Sequence, residues 1–479
     1  MSSVVPETEK KKGSTALKAG SVGVFGILFF VLSAQAPLTG IAGASPVAVL
    51  LGDGAGAPGA YLIIGIIIVI FAVGFVAMSR RVDAQGAFYA YITEGLGRKV
   101  GAGSAWLALM AYATVQAAMY GLFGAVFSGL IASATGVTIP WWVYVIMCIA
   151  FVQLLGSLNI EFGAKILAVL VGLEVALLLA FGLAVLFGGG GPEGINFGAS
   201  FSPAAVAAGA PGVAIMFAVA SMFGFESTAI YSGEAKDPKK TVARATYLSV
   251  AVIAIFFSFM MWMIVTYYGP NQVMDAAGKA LESGDATSFL FNPIADKLGP
   301  WAATVGGILL LTSLLAGLMA FHNGINRYVH SLALRNSLPA GLARTNRHHA
   351  PFIAAWLQTI MAVVLVGPFV ALNLDPVLTL FTWFSGLAVA ALLVLYVLSS
   401  VAVIAYFVRN REKGQVWQTA IAPVLATILI LFVLYTVISN FPTLVGATDW
   451  NLAIWLLISV PIVFVVGILI DSANKKVTA

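Results

Sequence analysis

Long apolar stretches separated by short polar connections dominate this chain. Twelve stretches are long enough to cross a membrane, with centres near positions 32, 68, 117, 149, 176, 222, 257, 311, 361, 388, 429 and 460. A helix that spans a bilayer needs about 20 mostly apolar residues. The pattern therefore predicts an all-α polytopic membrane protein with 12 transmembrane helices.

Two of these stretches are interrupted near their middle. In the first, Pro37 lacks an amide hydrogen and clashes with the preceding helical turn, and Gln35 is polar at mid-span. The sixth carries Gly224 and Glu226. Because lipid cannot satisfy loosened backbone groups, such breaks persist only where they line a protected cavity. The two breaks predict a place where a polar solute is held near the middle of the membrane.

The interruptions lie five spans apart, which divides the chain into two similar halves. Interrupted helices at matching positions of two halves indicate an inverted-repeat transporter. The sequence predicts a 5+5 inverted repeat with discontinuous helices 1 and 6. The predicted parts are a tail at 1–20, a first repeat at 21–188, a second repeat at 211–405, appended helices 11 and 12 at 415–471, and a tail at 472–479.

Composition and charge support a membrane location. Of the residues, 61% are hydrophobic and 9% are charged, whereas soluble domains carry about 25% charged residues. Of the 24 Lys and Arg residues, only Lys279 and Lys297 fall in connections on the side opposite the termini. The positive-inside rule then predicts a multi-pass protein of the cell membrane with both termini cytoplasmic. The net charge of +5 reflects this topology, so no nucleic-acid partner is expected.

Motifs for other chemistries do not occur in the sequence. The single cysteine, Cys148, and the four histidines show no metal-ligand spacing, and no disulfide framework is possible. No glycine-rich phosphate loop precedes a Lys-Ser or Lys-Thr pair, so ATP is not expected to be the energy source. We expect no metal and no cofactor, with the proton as the coupling ion.

Three segments carry a resemblance to a known family. They are residues 224–241, which begin Gly-Phe-Glu, residues 86–97, which begin Gly-Ala-Phe-Tyr-Ala-Tyr, and residues 320–339, which begin Ala-Phe-His-Asn. With them, the chain resembles the amino acid–polyamine–organocation (APC) superfamily of permeases, which have the LeuT-type fold. The resemblance implies a secondary transporter rather than an enzyme. The implied substrate is a small molecule, an amino acid or a polyamine, and the oligomeric state stays open.

The two breaks suggest how an amino acid could be bound. The half-helix that starts after the first break presents amide hydrogens to a carboxylate, and the half-helix that ends at the second presents carbonyls to an ammonium group. The candidates at the first break, chiefly through their backbone, are Ser33, Ala34, Gln35, Ala36 and Leu38. Those at the second break are Ala220, Ser221, Met222, Phe223 and Gly224.

Three further residues are candidates for the substrate site, and each has two interpretations. Tyr112 and Gln116 lie one turn apart in the third span, where they could face the substrate or bridge neighbouring helices. Trp383 in the tenth span could close the outer side of the site or pack against lipid.

Two carboxylates are candidates for proton coupling. Glu174 is the only charge across the middle of the fifth span, where an ionised carboxylate is costly. The resemblance places Glu174 near the position equivalent to the second sodium site of sodium-driven relatives, which implies that it carries the coupling proton, with Thr312 and Ser313 as polar neighbours. A protonated acid that only bonds a neighbouring helix is the alternative. Glu226 competes for the coupling role, or could bind a cationic substrate.

These observations predict a proton symporter that imports amino acids by alternating access. An exchanger of amino acids or polyamines with the same fold is the alternative. An ion channel would need a continuous polar pore, which the isolated ionisable residues do not form. A membrane-embedded enzyme would need a catalytic or metal-ligand set within the spans, and none is found in the sequence.

Overall fold

Helices form nearly all of the regular structure in the described part of the chain. The computed structural model describes residues 23–82, 87–158, 164–226, 228, 237–334, 338–348, 350–410, 415–447 and 449–478. The longer helices up to residue 221 are α1 Val24–Gln35, α2 Pro37–Ala42, α3 Ala57–Ser79, α4 Ala87–Leu96, α5 Arg98–Thr135, α6 Trp141–Ser157, α7 Ala164–Phe187 and α8 Pro211–Ser221. Those from residue 238 onward are α9 Pro238–Tyr268, α10 Val273–Glu282, α11 Ser288–Leu298, α12 Pro300–Leu334, α13 Phe352–Ala371, α14 Thr382–Asn410, α15 Ala422–Ser439 and α16 Ser459–Thr478.

Shorter helical segments connect the long helices. Short α-helical segments occupy Ser45–Ala48, Gly198–Phe201, Pro203–Val206, Phe441–Leu444 and Asn451–Leu457, and 3₁₀ turns occupy Gly54–Gly56 and Ala340–Ala343. Wider π-helical turns occupy Val49–Asp53, Pro376–Phe381 and Trp417–Ile421. In the described residues the one β-type pairing is an isolated bridge between Gly191 and Gly194.

The helices have the length and composition of a polytopic membrane protein. Within the described ranges, 9 helical segments are long and apolar enough to cross a membrane. The sequence predicts twelve spans, and the first, fourth and sixth are the three that are missing from this count. Their helices are shorter: α1 has 12 residues, α6 has 17 and α8 has 11. The prediction of an all-helical polytopic protein is confirmed.

The first interruption is a sharp break between α1 and α2. Ala36 adopts a left-handed conformation with φ 46° and ψ 72°, and Pro37 begins α2. A proline cannot donate to the preceding turn and disfavours the helical conformation in the residue before it. The left-handed conformation costs an alanine about 1–2 kcal/mol, so the surrounding packing must stabilise it. The sequence pattern therefore places this break at the right residue.

The second interruption ends α8 at Ser221. Residues 222–226 form turns, and Gly224 has φ 102°, a conformation that side chains disfavour. The Gly224 N–H donates to Glu226 Oε2 at 2.9 Å. The glycine and the glutamate thus fix the turn that stops the helix.

Close helix packing surrounds both breaks. Gly65 of α3 faces Ala254 of α9 so closely that a side chain at Gly65 would collide with it. The Ser258 hydroxyl of α9 donates to the Pro58 carbonyl of α3 at 2.8 Å. Small residues let helices approach in lipid, and interhelical hydrogen bonds hold them together. The α3–α9 pair packs along its length, and the central helix α5 packs against α12, α14 and α16.

Candidate functional site

Glu174 of α7 joins the first break to a neighbouring helix. Its side chain is fully buried, and its Oε2 atom accepts one hydrogen bond from the Leu38 N–H and one from the Ser313 hydroxyl, both at 3.2 Å. Its Oε1 atom has no hydrogen-bond partner among the described residues. One carboxyl group therefore links α2, α7 and α12.

Of the two predicted polar neighbours of Glu174, one forms a hydrogen bond with it and the other does not. Ser313 is a hydrogen-bond partner, whereas the Thr312 hydroxyl donates to the Leu309 carbonyl of its own helix at 2.9 Å. Leu38, predicted to present its backbone amide to a substrate, donates that hydrogen to Glu174 instead. The side of α2 that carries the Leu38 amide is thus engaged within the protein.

The carbonyls at the end of α8 are also partly engaged. The Val219 carbonyl accepts from Met222 N at 3.0 Å and the Ala220 carbonyl accepts from Phe223 N at 3.2 Å. The Ser221 hydroxyl donates to the Phe217 carbonyl at 3.0 Å. The Phe225 carbonyl, later in the turn, accepts from Thr228 N at 3.2 Å, so several carbonyls near this break are engaged within the protein.

A cavity of about 100 Å³ lies between the two breaks. Four polar residues contribute to its wall: Gln35, Thr39, Ser221 and Ser385. Small residues make room for it: Ala36, Gly40, Ala44, Ala118 and Ala220. The larger apolar residues that line it are Val115, Met119, Phe217, Phe223, Phe321 and Phe381. None of these described lining residues is charged, so the wall matches a solute whose own charges sum to zero.

Aromatic rings pack against one another at one end of the cavity. Phe223 contacts Tyr112 of α5 at a ring-centroid distance of 5.6 Å and Phe321 of α12 at 6.1 Å, and Tyr112 lies 6.2 Å from Phe321. Such tilted and edge-to-face pairs are the favourable aromatic arrangements. This layer lies toward the Arg98 end of α5, because Tyr112 is in that half of the helix.

A second aromatic pair lies toward the other end of α5. The rings of Phe217 and Phe381 stack at 6.0 Å with an interplanar angle of 22°. Phe381 ends the turn Pro376–Phe381, which contacts α5 at Gly121, about two and a half turns beyond Tyr112. The cavity is therefore held between two aromatic layers, the arrangement expected of a site that can be closed on both sides.

The structure brings five predicted residues into the cavity wall and places others nearby. Gln35, Ala36, Ala220, Ser221 and Phe223 line the cavity. Tyr112 packs on Phe223 behind it, and Met222 and Gly224 lie in the adjoining turn without lining it. Ser33 and Ala34 lie near the end of α1, and their side chains are outside the described part of the structure.

Gln116 lies in a hydrogen-bonded chain of side chains outside the cavity. Its Nε2 donates to the Leu318 carbonyl at 3.2 Å, and its Oε1 accepts from Gln358 Nε2. Gln358 Oε1 in turn lies 2.5 Å from His322 Nδ1. The chain joins α5, α12 and α13, so the geometry matches the bridging reading of Gln116 rather than the substrate-facing one.

Trp383 and Glu226 also lie away from the cavity wall. The Trp383 ring packs against Phe369 of α13 at 5.6 Å, and Phe381, two residues earlier, lines the cavity. Glu226 is buried and accepts from the Gly224 N–H in its own turn. The residues after it, 229–236, which carry part of the family resemblance, are outside the described residues.

Several lining residues were not among the candidates named from the sequence. Thr39 lies one turn after the break, where the helical repeat returns to the same face, and this spacing is a signal that could have found it. Ser385 lies in the apolar stretch of the tenth span, where a single serine hydroxyl does not by itself indicate a binding site. Met119, Phe321 and Phe381 read as ordinary apolar residues, and only packing identifies them.

No metal centre is found in the described part of the chain. Within it, no group of three or more His, Cys, Asp or Glu side chains is arranged to hold an ion. His322 is engaged with Gln358. The site consists of neutral polar groups, aromatic rings and one buried carboxyl group behind the first break.

The apolar helices, the two breaks and the cavity between them are the features of a membrane permease. Comparison of the sequence with known families agrees: the amino acid permease family matches residues 22–466. The chain belongs to this family, so the resemblance to APC permeases is confirmed, and the protein is a transporter rather than an enzyme.

Known relatives differ in the substrate that their names state. The chain is 24% identical over 340 residues to the low-affinity putrescine importer PlaP of Escherichia coli K12, covering 67% of this chain and 68% of the relative. It is 24% identical over 329 residues to the L-asparagine permease of the same strain, covering 64% and 60%. It is 24% identical over 323 residues to the aromatic amino acid transport protein AroP of Corynebacterium glutamicum, covering 64% and 65%.

Proposed function

We propose that this protein imports amino acids across the cell membrane by proton symport, through alternating access. The observation that carries the proposal is the position of Glu174. Its carboxyl group bonds the first amide of α2 and the Ser313 hydroxyl, in a fully buried place behind the cavity. An isolated charge in such a place is costly, so uptake of a proton is the natural way to neutralise it.

Protonation of Glu174 would loosen the contact between α2 and its neighbours. Hydrogen bonds to an ionised carboxylate are about twice as strong as bonds between neutral groups. Neutralising Glu174 therefore weakens the ties from Leu38 and Ser313. A proton would then change how firmly α2 is held against α7 and α12, which gives proton binding a route to the movement of the broken helix.

We infer the finer architecture from the same features. The fold is a 5+5 inverted repeat of 12 spans with discontinuous helices 1 and 6, in which 21–188 and 211–405 are the repeats, 415–471 is appended, and both termini are cytoplasmic. The packing of α8 and α9 on α3 supports a moving bundle that contains spans one, two, six and seven. The distribution of Lys and Arg supports the orientation.

Exchange of amino acids or polyamines is the second candidate. The relative that is named a putrescine importer favours a polyamine as the substrate, and its name says nothing of exchange. Against a polyamine, no described lining residue carries a negative charge. Putrescine would bury two ammonium groups beside neutral walls, which is unfavourable without paired carboxylates. The neutral wall favours a zwitterionic amino acid.

Uptake into proteoliposomes tests the proposal. The purified protein is given labelled alanine, asparagine, phenylalanine and putrescine, with and without an acid-outside gradient. We expect gradient-driven accumulation of an amino acid, lost in Glu174→Gln while counterflow continues without a gradient. Thr312→Val is the matched control, because Thr312 bonds only its own helix turn.

The results separate the candidates. Wild-type counterflow without any gradient-driven accumulation would establish exchange instead of symport. Accumulation that persists in Glu174→Gln would remove Glu174 from the coupling step. Gradient dependence that disappears in Glu226→Gln but not in Glu174→Gln would assign the role to Glu226.

A further inference from the structure

Two polar side chains that line the cavity have no hydrogen-bond partner among the described residues. Gln35 is 8% exposed, and neither its Nε2 nor its Oε1 atom has a hydrogen-bond partner among the described residues. The Thr39 hydroxyl is also buried and unpartnered in this part of the chain. Both residues line the cavity, one on each side of the break. Buried polar groups are rarely left unpaired, so these atoms point to hydrogen bonds that a ligand would supply.

The backbone at the start of α2 has little to offer a carboxylate. Pro37 has no amide hydrogen, the Leu38 N–H donates to Glu174, and the Gly40 N–H donates to the Ala36 carbonyl. A half-helix start normally binds an anion through such free amides. Here most of that capacity is used within the protein.

We propose that the side chains of Gln35 and Thr39 bind the substrate carboxylate in place of the first backbone amides of α2. The inference rests on the proposed function, because it assumes an amino acid in the cavity. Gln35 Nε2 and the Thr39 hydroxyl are both hydrogen-bond donors. Because both are neutral, they bind the carboxylate without adding charge, and the zwitterion keeps the site at zero net charge. Ser221, which lines the cavity at the end of α8, is left for the ammonium end.

This arrangement makes the carboxylate a requirement for binding. An amine without a carboxylate would leave both donors buried and unpaired, and a site built to hydrogen-bond a group discriminates strongly against analogues that lack it. The chemistry therefore selects α-amino acids over amines of similar size. Gln35 and Thr39 are specificity-determining residues under this proposal.

Paired ligands that differ only at the carboxylate test the proposal. Binding of alanine and asparagine is compared with binding of alaninamide and asparaginamide, in which a neutral amide replaces the carboxylate. Competition against the labelled amino acid that the wild-type protein takes up best gives each affinity. The wild-type protein should prefer each amino acid to its α-amide.

Three variants then give distinct results. Gln35→Leu and Thr39→Val should each weaken amino acid binding about tenfold or more, since each removes a donor to a charged group, and should weaken α-amide binding less, since the amide carbonyl accepts a weaker, neutral hydrogen bond. Gln35→Glu should reverse the preference, because a carboxylate at this position repels the amino acid and attracts the cationic α-amide. Thr312→Val, outside the cavity, should leave both affinities unchanged.

The reversal distinguishes recognition from a structural role. Loss of folding would weaken both members of each ligand pair equally, and equal losses in Gln35→Glu would overturn the proposal. Retention of amino acid affinity within twofold in both Gln35→Leu and Thr39→Val would also overturn it. A wild-type protein that prefers the α-amides would refute the inference alone. A wild-type protein that binds no amino acid at all would refute the proposed function, and the inference with it.

Discussion

At the scale of single residues, one buried carboxyl group links three helices beside the cavity. Glu174 comes from the fifth predicted span, yet its partners come from the start of α2 and from α12. Glu174 therefore lies next to the first break, whose residues Gln35 and Ala36 line the cavity. Its charge is therefore felt by any anion bound at the start of α2, since buried charges are screened much less than exposed ones.

This proximity predicts a pH-dependent affinity. An ionised Glu174 repels the substrate carboxylate and a protonated one does not, so amino acid affinity should be highest at acid pH and fall as pH rises. In Glu174→Gln the affinity should stay level across the same pH range. Equilibrium binding of a labelled amino acid between pH 5 and 9 measures both curves. A sloping curve in Glu174→Gln that matches the wild type would assign the dependence to another group.

At the scale of helices, an ion pair ties the last helix to the centre of the molecule. Arg98 at the start of α5 contacts Asp471 of α16 at 2.8 Å, and a second guanidinium nitrogen, Nε, lies 3.1 Å from both carboxylate oxygens. The two partners differ in exposure: the Arg98 side chain is 51% exposed and that of Asp471 is 5%. Removing the arginine should therefore not cost the same stability as removing the aspartate.

The difference in exposure predicts an asymmetric loss of stability. Arg98→Gln leaves a buried carboxylate without its cation and should lower the free energy of unfolding by about 1–3 kcal/mol. Asp471→Asn leaves an arginine that can reach water and should cost less. The single, buried Cys148 can report unfolding through its reaction with a maleimide dye on heating. An equal loss in the two variants would contradict the prediction.

At the scale of the whole molecule, the question is what crosses the membrane in one cycle. One proton with one zwitterion carries one positive charge inward. Each charge is worth about 2.3 kcal/mol per 100 mV of membrane potential. A transporter that moves net charge must therefore respond to voltage, whereas a one-for-one exchanger of equally charged solutes does not.

The proposed symport of one proton with one amino acid therefore predicts voltage-driven uptake. A potential of 100 mV, negative inside, should raise the accumulation ratio about fiftyfold at equal pH on the two sides, because about 1.4 kcal/mol corresponds to a factor of ten. Potassium-loaded proteoliposomes with valinomycin supply the potential. Reversing the potassium gradient should abolish accumulation. Uptake that ignores the potential would indicate electroneutral exchange.

Local sequence patterns were sufficient to predict the helices and the two breaks that surround the site. Runs of apolar residues predicted the helices, and Pro37 and Gly224 predicted the breaks, because a missing amide hydrogen and a left-handed backbone act within one turn. Glu174 was also predicted from local sequence, because a lone carboxylate in an apolar span is costly unless it has a function. The prediction that Ser313 is its neighbour came from the family resemblance.

Tertiary packing decided which atoms face the cavity. The Leu38 amide and Glu174 are separated by 136 residues, and Gln116 and Gln358 by 242. The sequence alone could not show that these groups bond each other, nor that Phe381 rather than Trp383 lines the cavity. The sequence by itself determined the class of protein, its helices and their breaks, since burial and backbone freedom are local properties. Only the tertiary structure decided which polar groups are already paired and which are left for a substrate, because hydrogen bonds between helices depend on their relative rotation and depth.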